Sequence, residues 1–204
     1  MKLNLVGLFL LKAIAWFIAL LLVWHQLSSL VTLPVSLLSK VVVSKMFPPW
    51  AEGVQQAGAS LTLLTTLEAQ NMAGTPAGQV ALLSPEVEFL KYGYGLPLLI
   101  ALLLASGAKS IFTKICVGAL ALLPFQVWGV CFDWLKQAAI DTGAAHFSPV
   151  GREFIAFGYQ FGNLVLPTLA PVLLWVVMCR NFLTALVLEA ALDSEVATRA
   201  DKDK

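Results

Sequence analysis

The sequence predicts an all-α membrane protein with about four transmembrane helices and a small extracytoplasmic β-hairpin region between the first and second spans. Of the 204 residues, 59% are hydrophobic and only 12% are charged, whereas about 25% of the residues in a typical soluble domain are charged. Four segments contain no charged residue, and each is long enough for a membrane-spanning helix. These segments are 13–39, 92–108, 115–132 and 154–179.

The first predicted helix covers about residues 5–24, and the lysines near its start resemble those of a secretory signal peptide. No small-x-small cleavage motif follows it, and the hydrophobic sequence continues, so we expect an uncleaved span. The next segment, 26–43, mixes serines, threonines, a proline and a lysine with Leu and Val. It either extends the helix past a kink or lies in the membrane interface as an amphipathic helix. Both alternatives stay open for the first predicted domain, 1–46.

The second predicted domain, 47–90, is a polar stretch. Residues 60–68 are rich in Thr and Leu, and residues 79–83 follow a turn rich in Gly and Pro at 74–78. This pattern predicts two short strands joined in a hairpin. Because an isolated hairpin is only marginally stable in water, we expect it to pack on the helices or on a partner.

Three further spans are predicted in the domain 91–188. They cover about residues 89–106, 111–132 and 157–179. The extracytoplasmic loop 133–156 connects the last two, and within it Asp133 and Lys136 are expected to form an exposed pair on a helix. The tail 189–204 carries charges of both signs and is predicted to lie solvated in the cytoplasm.

Lysine and arginine residues near the predicted span ends set the expected orientation, since cytoplasmic loops carry an excess of both. If the N-terminus is cytoplasmic, five such residues lie inside: Lys2, Lys12, Lys109, Lys114 and Arg180. Lys136 and Arg152 then lie outside. We therefore expect both termini in the cytoplasm, with the hairpin region and the loop 133–156 on the opposite side.

Two stretches that combine aromatic residues with glycine are the candidate partner-binding sites. Glycine lets helices approach closely, while tyrosine and amide side chains in lipid need hydrogen-bond partners on another helix. One interpretation is helix packing with an aromatic belt at the interface; the other is a surface for a membrane protein partner. The candidate residues are Tyr92, Gly93, Tyr94, Gly95, Gly158, Tyr159, Gln160, Gly162 and Asn163.

An enzymatic alternative rests on Cys131, His146 and Arg152. A thiolate nucleophile needs a base and a cation for the oxyanion, and this set would suit a thiol-dependent membrane transpeptidase or peptidase. Cys131 lies between Val130 and Phe132, where a cysteine is usually an inert packing residue. The sequence thus leaves enzymatic activity open, with a non-enzymatic role favoured.

Other function classes find less support in the sequence. No phosphate-binding, serine-hydrolase or zinc-binding motif is present, so neither a cofactor nor a metal is expected. The net charge of +1 does not favour a nucleic acid partner. Pro167 and Pro171 would break the last helix, as in a small transporter or channel subunit, yet no internal repeat accompanies them.

Several of these motifs together resemble the exosortase H-associated membrane proteins. The resemblance extends from about Val54 to Arg180. It is carried by Val54-Gln55-Gln56 with Leu61-Thr62-Leu63, Tyr92-Gly93-Tyr94-Gly95-Leu96-Pro97-Leu98, Phe157-Gly158-Tyr159-Gln160-Phe161-Gly162 and Leu166-Pro167-Thr168-Leu169-Ala170-Pro171.

The resemblance implies a small bacterial inner-membrane protein that accompanies an exosortase, the multi-span cysteine transpeptidase that processes C-terminal sorting tails of exported proteins. Cys131 lies in Gly129-Val130-Cys131-Phe132, not in the Cys-Ser-Gly or Cys-Asn-Gly context of exosortases themselves. The expected role is therefore that of a non-enzymatic accessory or scaffold protein, with the lipid bilayer and an exosortase-like transpeptidase as its partners.

Overall fold

The computed structural model describes residues 5–69, 81–185 and 187–188, most of which are helical. The α-helices are α1 (Leu5–Gln26), α2 (Ser28–Met46), α3 (Leu90–Gly93), α4 (Gly95–Ala105), α5 (Ile111–Lys136), α6 (Pro149–Gln160) and α7 (Leu166–Met178). π-helical turns, Gln137–Asp141 and Phe161–Val165, follow α5 and α6. The strands are β1 (Ala51–Ala57), β2 (Ser60–Thr65), β3 (Glu68–Ala69), β4 (Ala81–Leu82) and β5 (Glu86–Glu88). The predicted charged tail 189–204 lies outside the described residues.

Four helical segments of the described chain are long and apolar enough to cross a membrane. They are Val6–Gln26, Ser28–Met46, Ile111–Asp141 and Pro149–Met178. Their number agrees with the expected four, and three of them overlap predicted spans. The fourth, Ser28–Met46, was not predicted as a full span. The segment Leu90–Ala105, predicted as part of a full span, is shorter than these four. The chain turns soon after it at Gly107, whose φ of +60° is a conformation that glycine adopts without strain.

Residues 26–43 lie largely in a second helix, α2, whose place relative to the membrane stays a prediction. α1 ends at Gln26, and the φ of −94° and ψ of 9° at Leu27 separate it from α2. α2 is thus a helix of its own with the length and composition of a span. Its buried face carries small polar residues, and Thr32 Oγ1 donates to the carbonyl of Ser28 at 2.7 Å. This bond satisfies the hydroxyl within the helix.

The connection between the last two spans is much shorter than the predicted loop 133–156. The helix that begins at Ile111 continues through the π-helical turn to Asp141, and α6 already begins at Pro149. Ser148 caps α6, because its hydroxyl accepts a hydrogen bond from the N–H of Gly151. A serine cap followed by a proline at the first helical position is a common helix start.

The sheet differs from the predicted hairpin. β1 and β2 pair antiparallel through a two-residue turn at Gly58, and β5 pairs with the other edge of β2. The segments flanking the predicted turn 74–78 pair only over two residues, as β3 and β4, and the turn itself lies outside the described residues. β1 was missed because its sequence alternates weakly, with Val54 as its only fully buried residue.

The strands and helices share one core at the sheet end of the molecule. Trp134 Nε1 of α5 donates to the carbonyl of Leu61 in β2 at 3.2 Å, and Tyr92 and Val35 bury their side chains beside it. A second core at the opposite end joins α1, α4 and α7, where the rings of Phe9 and Trp175 stack 5.4 Å apart. The sheet is therefore anchored on the helices, as its small size requires.

Candidate partner-binding surface

The first aromatic-glycine stretch, which contains Tyr92, Gly93, Tyr94 and Gly95, packs inside the chain. Tyr92, Gly93 and Gly95 are buried, and Tyr94 is partly exposed. A Cβ atom on Gly95 would lie 2.8 Å from the carbonyl oxygen of Pro167, so only glycine permits this approach of α4 to α7. Tyr94 Oη shares a hydrogen bond of 2.9 Å with Thr168 Oγ1. This stretch thus joins α3 and α4 to the last helix.

The second stretch, residues 158–163, combines the buried Gly158 and Gly162 with side chains that are exposed or partly exposed. Gly158 packs on the ring of Phe132, and a Cβ atom on Gly162 would lie 2.9 Å from the Cα atom of Gly129. These glycines bring α6 and the π-helical turn against α5. Pro167 has no N–H for the carbonyl four residues before it, which favours a π-helical turn at this point.

A polar cluster centred on the buried carboxylate of Asp133 connects the two stretches. The carboxylate of Asp133 accepts hydrogen bonds from Tyr92 Oη at 2.8 Å, Lys91 Nζ at 3.3 Å and Gln137 Nε2 at 3.2 Å. Lys91 Nζ also donates to Tyr159 Oη at 3.1 Å. We refer to these five residues as the Asp133 cluster. They connect α3, α5 and α6, so the two aromatic-glycine stretches meet at one carboxylate.

The expected exposed pair of Asp133 and Lys136 is wrong. Asp133 is buried and binds Lys91, while Lys136 Nζ binds Asp141 at 2.7 Å. Helix geometry allows the expected pair, but burial of Asp133 against α3 selects a different partner. The ammonium groups of Lys91 and Lys136 each lie 5.0 Å from the ring centroid of Tyr159, a favourable cation–π distance.

Sequence reasoning also missed Lys91 and Gln137 as members of the site. One signal was available: Lys91 directly precedes Tyr92 at the start of one predicted span, and Asp133 directly follows the end of another. Opposite charges at neighbouring span ends on the same side of a membrane are natural partners. The ion pair of Lys91 with Asp133 could therefore have been predicted by placing these two span ends at the same depth in the membrane.

The proposed catalytic set is not assembled around Cys131. The thiol is buried and makes no hydrogen bond with His146, Arg152 or any other residue in the described ranges. His146 and Arg152 are exposed. Cys131 instead lines an apolar cavity of about 620 Å³ beside Trp128 and Phe154. No grouping of three metal-ligating side chains occurs among the described residues either.

One face of α6 and the following turn is exposed along its length. We define this α6 face as Phe154, Phe157, Gln160, Phe161 and Leu164. Phe157 and Leu164 are 61% and 70% exposed, and the rings of Phe157 and Phe161 stack 5.9 Å apart. The spacing of three and four residues places these side chains on one stripe of the helix.

Two amide side chains at the α6 face lack partners within the described chain. Gln160 is exposed and Asn163 is partly exposed. Neither side chain hydrogen-bonds to another described residue. In hydrocarbon, an amide without a partner costs several kcal/mol by transfer estimates, so these two side chains are available to hydrogen-bond with another helix.

The match to known families covers both stretches and the Asp133 cluster. A family model for the exosortase H-associated membrane proteins matches residues 3–182. The chain belongs to this family. The name associates the family with exosortase, itself a membrane protein, and the four apolar helices support the membrane location of this exosortase H-associated protein. No curated protein and no solved structure matches the chain.

Proposed function

We propose that this exosortase H-associated protein is a non-enzymatic accessory or scaffold that binds an exosortase within the bacterial inner membrane. The observation that carries the proposal is the pair of unpartnered amides, Gln160 and Asn163, on a helix long and apolar enough to span. A partner helix that offers hydroxyl, amide or carbonyl groups would satisfy them. The family name supports an exosortase as the source of that helix.

The α6 face supplies the apolar part of the proposed contact. Phe154, Phe157 and Phe161 present ring surfaces for van der Waals packing, which drives helix association in lipid. The Asp133 cluster lies behind this face and fixes Tyr159 through Lys91. Tyr92, Gly158 and Gly162 then contribute by positioning α6, because they are buried within the chain.

The same proposal gives the protein an orientation. Lys109, Lys114 and Arg180 line one cavity at the end that holds the turn between α4 and α5, and Phe9 and Ala13, on either side of Lys12, pack in the core at that end. This distribution supports a cytoplasmic location for this end and for both termini. In this orientation α2 packs on β1, where Gln56 Nε2 donates to the carbonyl of Ser29 at 3.0 Å, and does not cross the membrane. The sheet and the short connection before α6 are then extracytoplasmic, the side on which exported proteins present their sorting tails.

Removal of the amides tests the docking surface. We expect Gln160→Leu with Asn163→Leu to lower recovery of the exosortase with the tagged protein by about tenfold, given about 0.6–1.7 kcal/mol for each interhelical hydrogen bond in lipid. The measurement is quantitative mass spectrometry after purification in a mild detergent from the native membrane.

The control variant is Gln26→Leu, which removes another exposed amide at the end of α1. It should leave exosortase recovery unchanged. Full recovery with the double variant, at equal membrane abundance, would contradict docking through α6. Recovery of the wild-type protein without any exosortase would contradict the accessory role as a whole.

A further inference from the structure

The end of the molecule opposite the sheet contains a cavity with a strongly positive lining. It measures about 550 Å³ and lies between the turn from α4 to α5 and the C-terminal end of α7. Lys109 comes from the turn, Lys114 from the first turns of α5, and Arg180 follows α7. We call it the basic cavity. Three cations thus converge from three chain segments.

Lys114 is held in place by the end of α7. Its Nζ atom donates to the carbonyl of Met178 at 2.7 Å. The last carbonyls of a helix have no intrahelical donor and carry partial negative charge, so a lysine ammonium is favourable there. An ammonium group has three donors. One is taken by Met178 and a second faces Cys179 Sγ at 3.9 Å, which leaves a third for a ligand.

The other two cations have no anionic partner in the described chain. The side chains of Lys109 and Arg180 make no ion pair or hydrogen bond with a described residue. Every acidic residue of the described ranges belongs to the strands, to the C-terminal end of α5 with its π-helical turn, or to α6. The positive charge of the basic cavity is therefore not neutralised by that part of the protein.

We propose that the basic cavity binds the phosphate group of an anionic phospholipid. Lysine and arginine bind phosphate through charge-assisted hydrogen bonds, and basic pockets between transmembrane helices are suited to anionic headgroups. Val177 lines the same cavity and is 63% exposed, and Phe112, two residues before Lys114 in the sequence, is 77% exposed. These exposed apolar side chains match acyl chains, which free phosphate does not have.

Such a lipid would join the turn between α4 and α5 to the end of α7. These segments already meet through Ser106, whose hydroxyl accepts a hydrogen bond from Trp175 Nε1 at 3.3 Å. The lipid phosphate would add a second connection between the same segments. The site thus couples the packing of α4, α5 and α7 to the charge of the surrounding leaflet.

Native mass spectrometry of the full-length protein tests this site. The protein is purified in mild detergent containing equal amounts of dioleoyl phosphatidylglycerol and dioleoyl phosphatidylcholine, and the retained lipid is identified. We expect the wild-type protein to retain phosphatidylglycerol preferentially. Lys109→Gln with Arg180→Gln should reduce this preference by about 30-fold, since each cation near a membrane surface contributes about 1 kcal/mol. Lys114 is left intact because it caps α7.

The matched control removes two exposed lysines of α2, as Lys40→Gln with Lys45→Gln. The control should keep the lipid preference, and all proteins should unfold at similar temperatures in lipid-free detergent. Equal retention of both lipids by the wild-type protein, or an equal loss in the control, would overturn the site.

Two further measurements distinguish the lipid from other possible ligands of the basic cavity. Retention of added inorganic phosphate by the wild-type protein, without retention of phosphatidylglycerol, would overturn the lipid assignment in favour of free phosphate. The acidic residues of the segment 189–204 are the second competitor. If the wild-type protein retains both lipids equally but a chain lacking 189–204 retains phosphatidylglycerol preferentially, the acidic segment 189–204 occupies the basic cavity and the proposal is wrong.

Discussion

The carboxylate of Asp133 accepts hydrogen bonds from three side chains on two helices. A buried carboxylate is stable only when donors replace its lost hydration. Tyr92 and Gln137 provide neutral donors, and Lys91 provides the opposing charge from a partly exposed position. Asp133 thus fixes the height of α3 relative to α5, which in turn sets the position of Tyr159 behind the α6 face.

Replacement of Asp133 should destabilise the protein. We expect Asp133→Ala to lower the free energy of unfolding by about 2–3 kcal/mol, because buried Tyr92 loses its acceptor and hydrogen bonds to charged groups contribute about 1.5–3 kcal/mol. Thermal unfolding in detergent measures the change.

Asp141→Ala is the control, because it removes a carboxylate that pairs with Lys136 at the surface. Such pairs contribute at most about 1 kcal/mol. Equal losses in the two variants would show that burial of Asp133 does not determine its contribution.

The Cys131 thiol should be dispensable. It has no base or cation within hydrogen-bond distance in the described chain, so Cys131→Ala removes only a small packing contact. We expect unchanged processing of an exosortase substrate in cells that carry this variant, measured as the ratio of processed to unprocessed protein. A loss of processing at normal protein abundance would revive the thiol-enzyme hypothesis.

At the level of elements, the approach of α6 to α5 depends on paired glycines. A Cβ atom on Gly162 would meet the Cα atom of Gly129, and backbone atoms cannot rotate away as a side chain does. We expect Gly162→Ala to destabilise the protein by about 1–3 kcal/mol, the usual range for overpacking, as measured by thermal unfolding in detergent.

Gly53→Ala offers a matched comparison, since a Cβ atom there has no neighbour within 4 Å. Its effect should stay within about 0.5 kcal/mol, as for other surface substitutions. If Gly162→Ala proved equally neutral, α6 would not be held tightly against α5. Substitutions at Gly158 and Gly162 are consequently poor probes of partner docking, and changes at Gln160 and Asn163 are better ones.

The long apolar elements were predictable from the sequence, and the short or polar ones were not. α1 and α5 follow from long hydrophobic runs, 13–24 and 115–132, that contain no charged residue. β1 escaped prediction because its order comes from pairing with β2 and packing on α2, contacts that a weakly alternating sequence does not reveal. α2 was ambiguous for a related reason: its serines and Thr32 lower the hydropathy, although the fold buries Thr32, Ser36 and Ser39.

The sequence placed both aromatic-glycine stretches at the same side of the membrane but did not predict the hydrogen bonds between them, and their partner-binding role stays a prediction. The glycine and aromatic pattern identified both stretches, and the structure brings them together around Asp133. Their division into buried and exposed members depends on which face of each helix meets α5, and a period of 3.6 residues in a uniformly apolar segment does not indicate that face. The partner of Asp133 was missed because it is 42 residues away in sequence.

At the scale of the whole molecule, the charges predict a fixed orientation. A cysteine introduced as His146→Cys, in a Cys116→Ser background, should react with a membrane-impermeant maleimide in intact spheroplasts, because the connection before α6 is expected outside. A green fluorescent protein fused to the C-terminus should fluoresce, since it folds in the cytoplasm. Labelling only after lysis would reverse the proposed orientation and place the basic cavity in the outer leaflet.

The shortness of α3 and α4 has a consequence for the surrounding lipid. The two helices have four and eleven residues and are joined at Tyr94, so together they extend about 24 Å, whereas the hydrocarbon layer is about 30 Å thick. Hydrophobic mismatch of this kind thins the nearby bilayer or drives association with other proteins. The protein therefore carries a source of attraction that needs no specific contact: a neighbour that also thins the membrane shares the cost of the deformation.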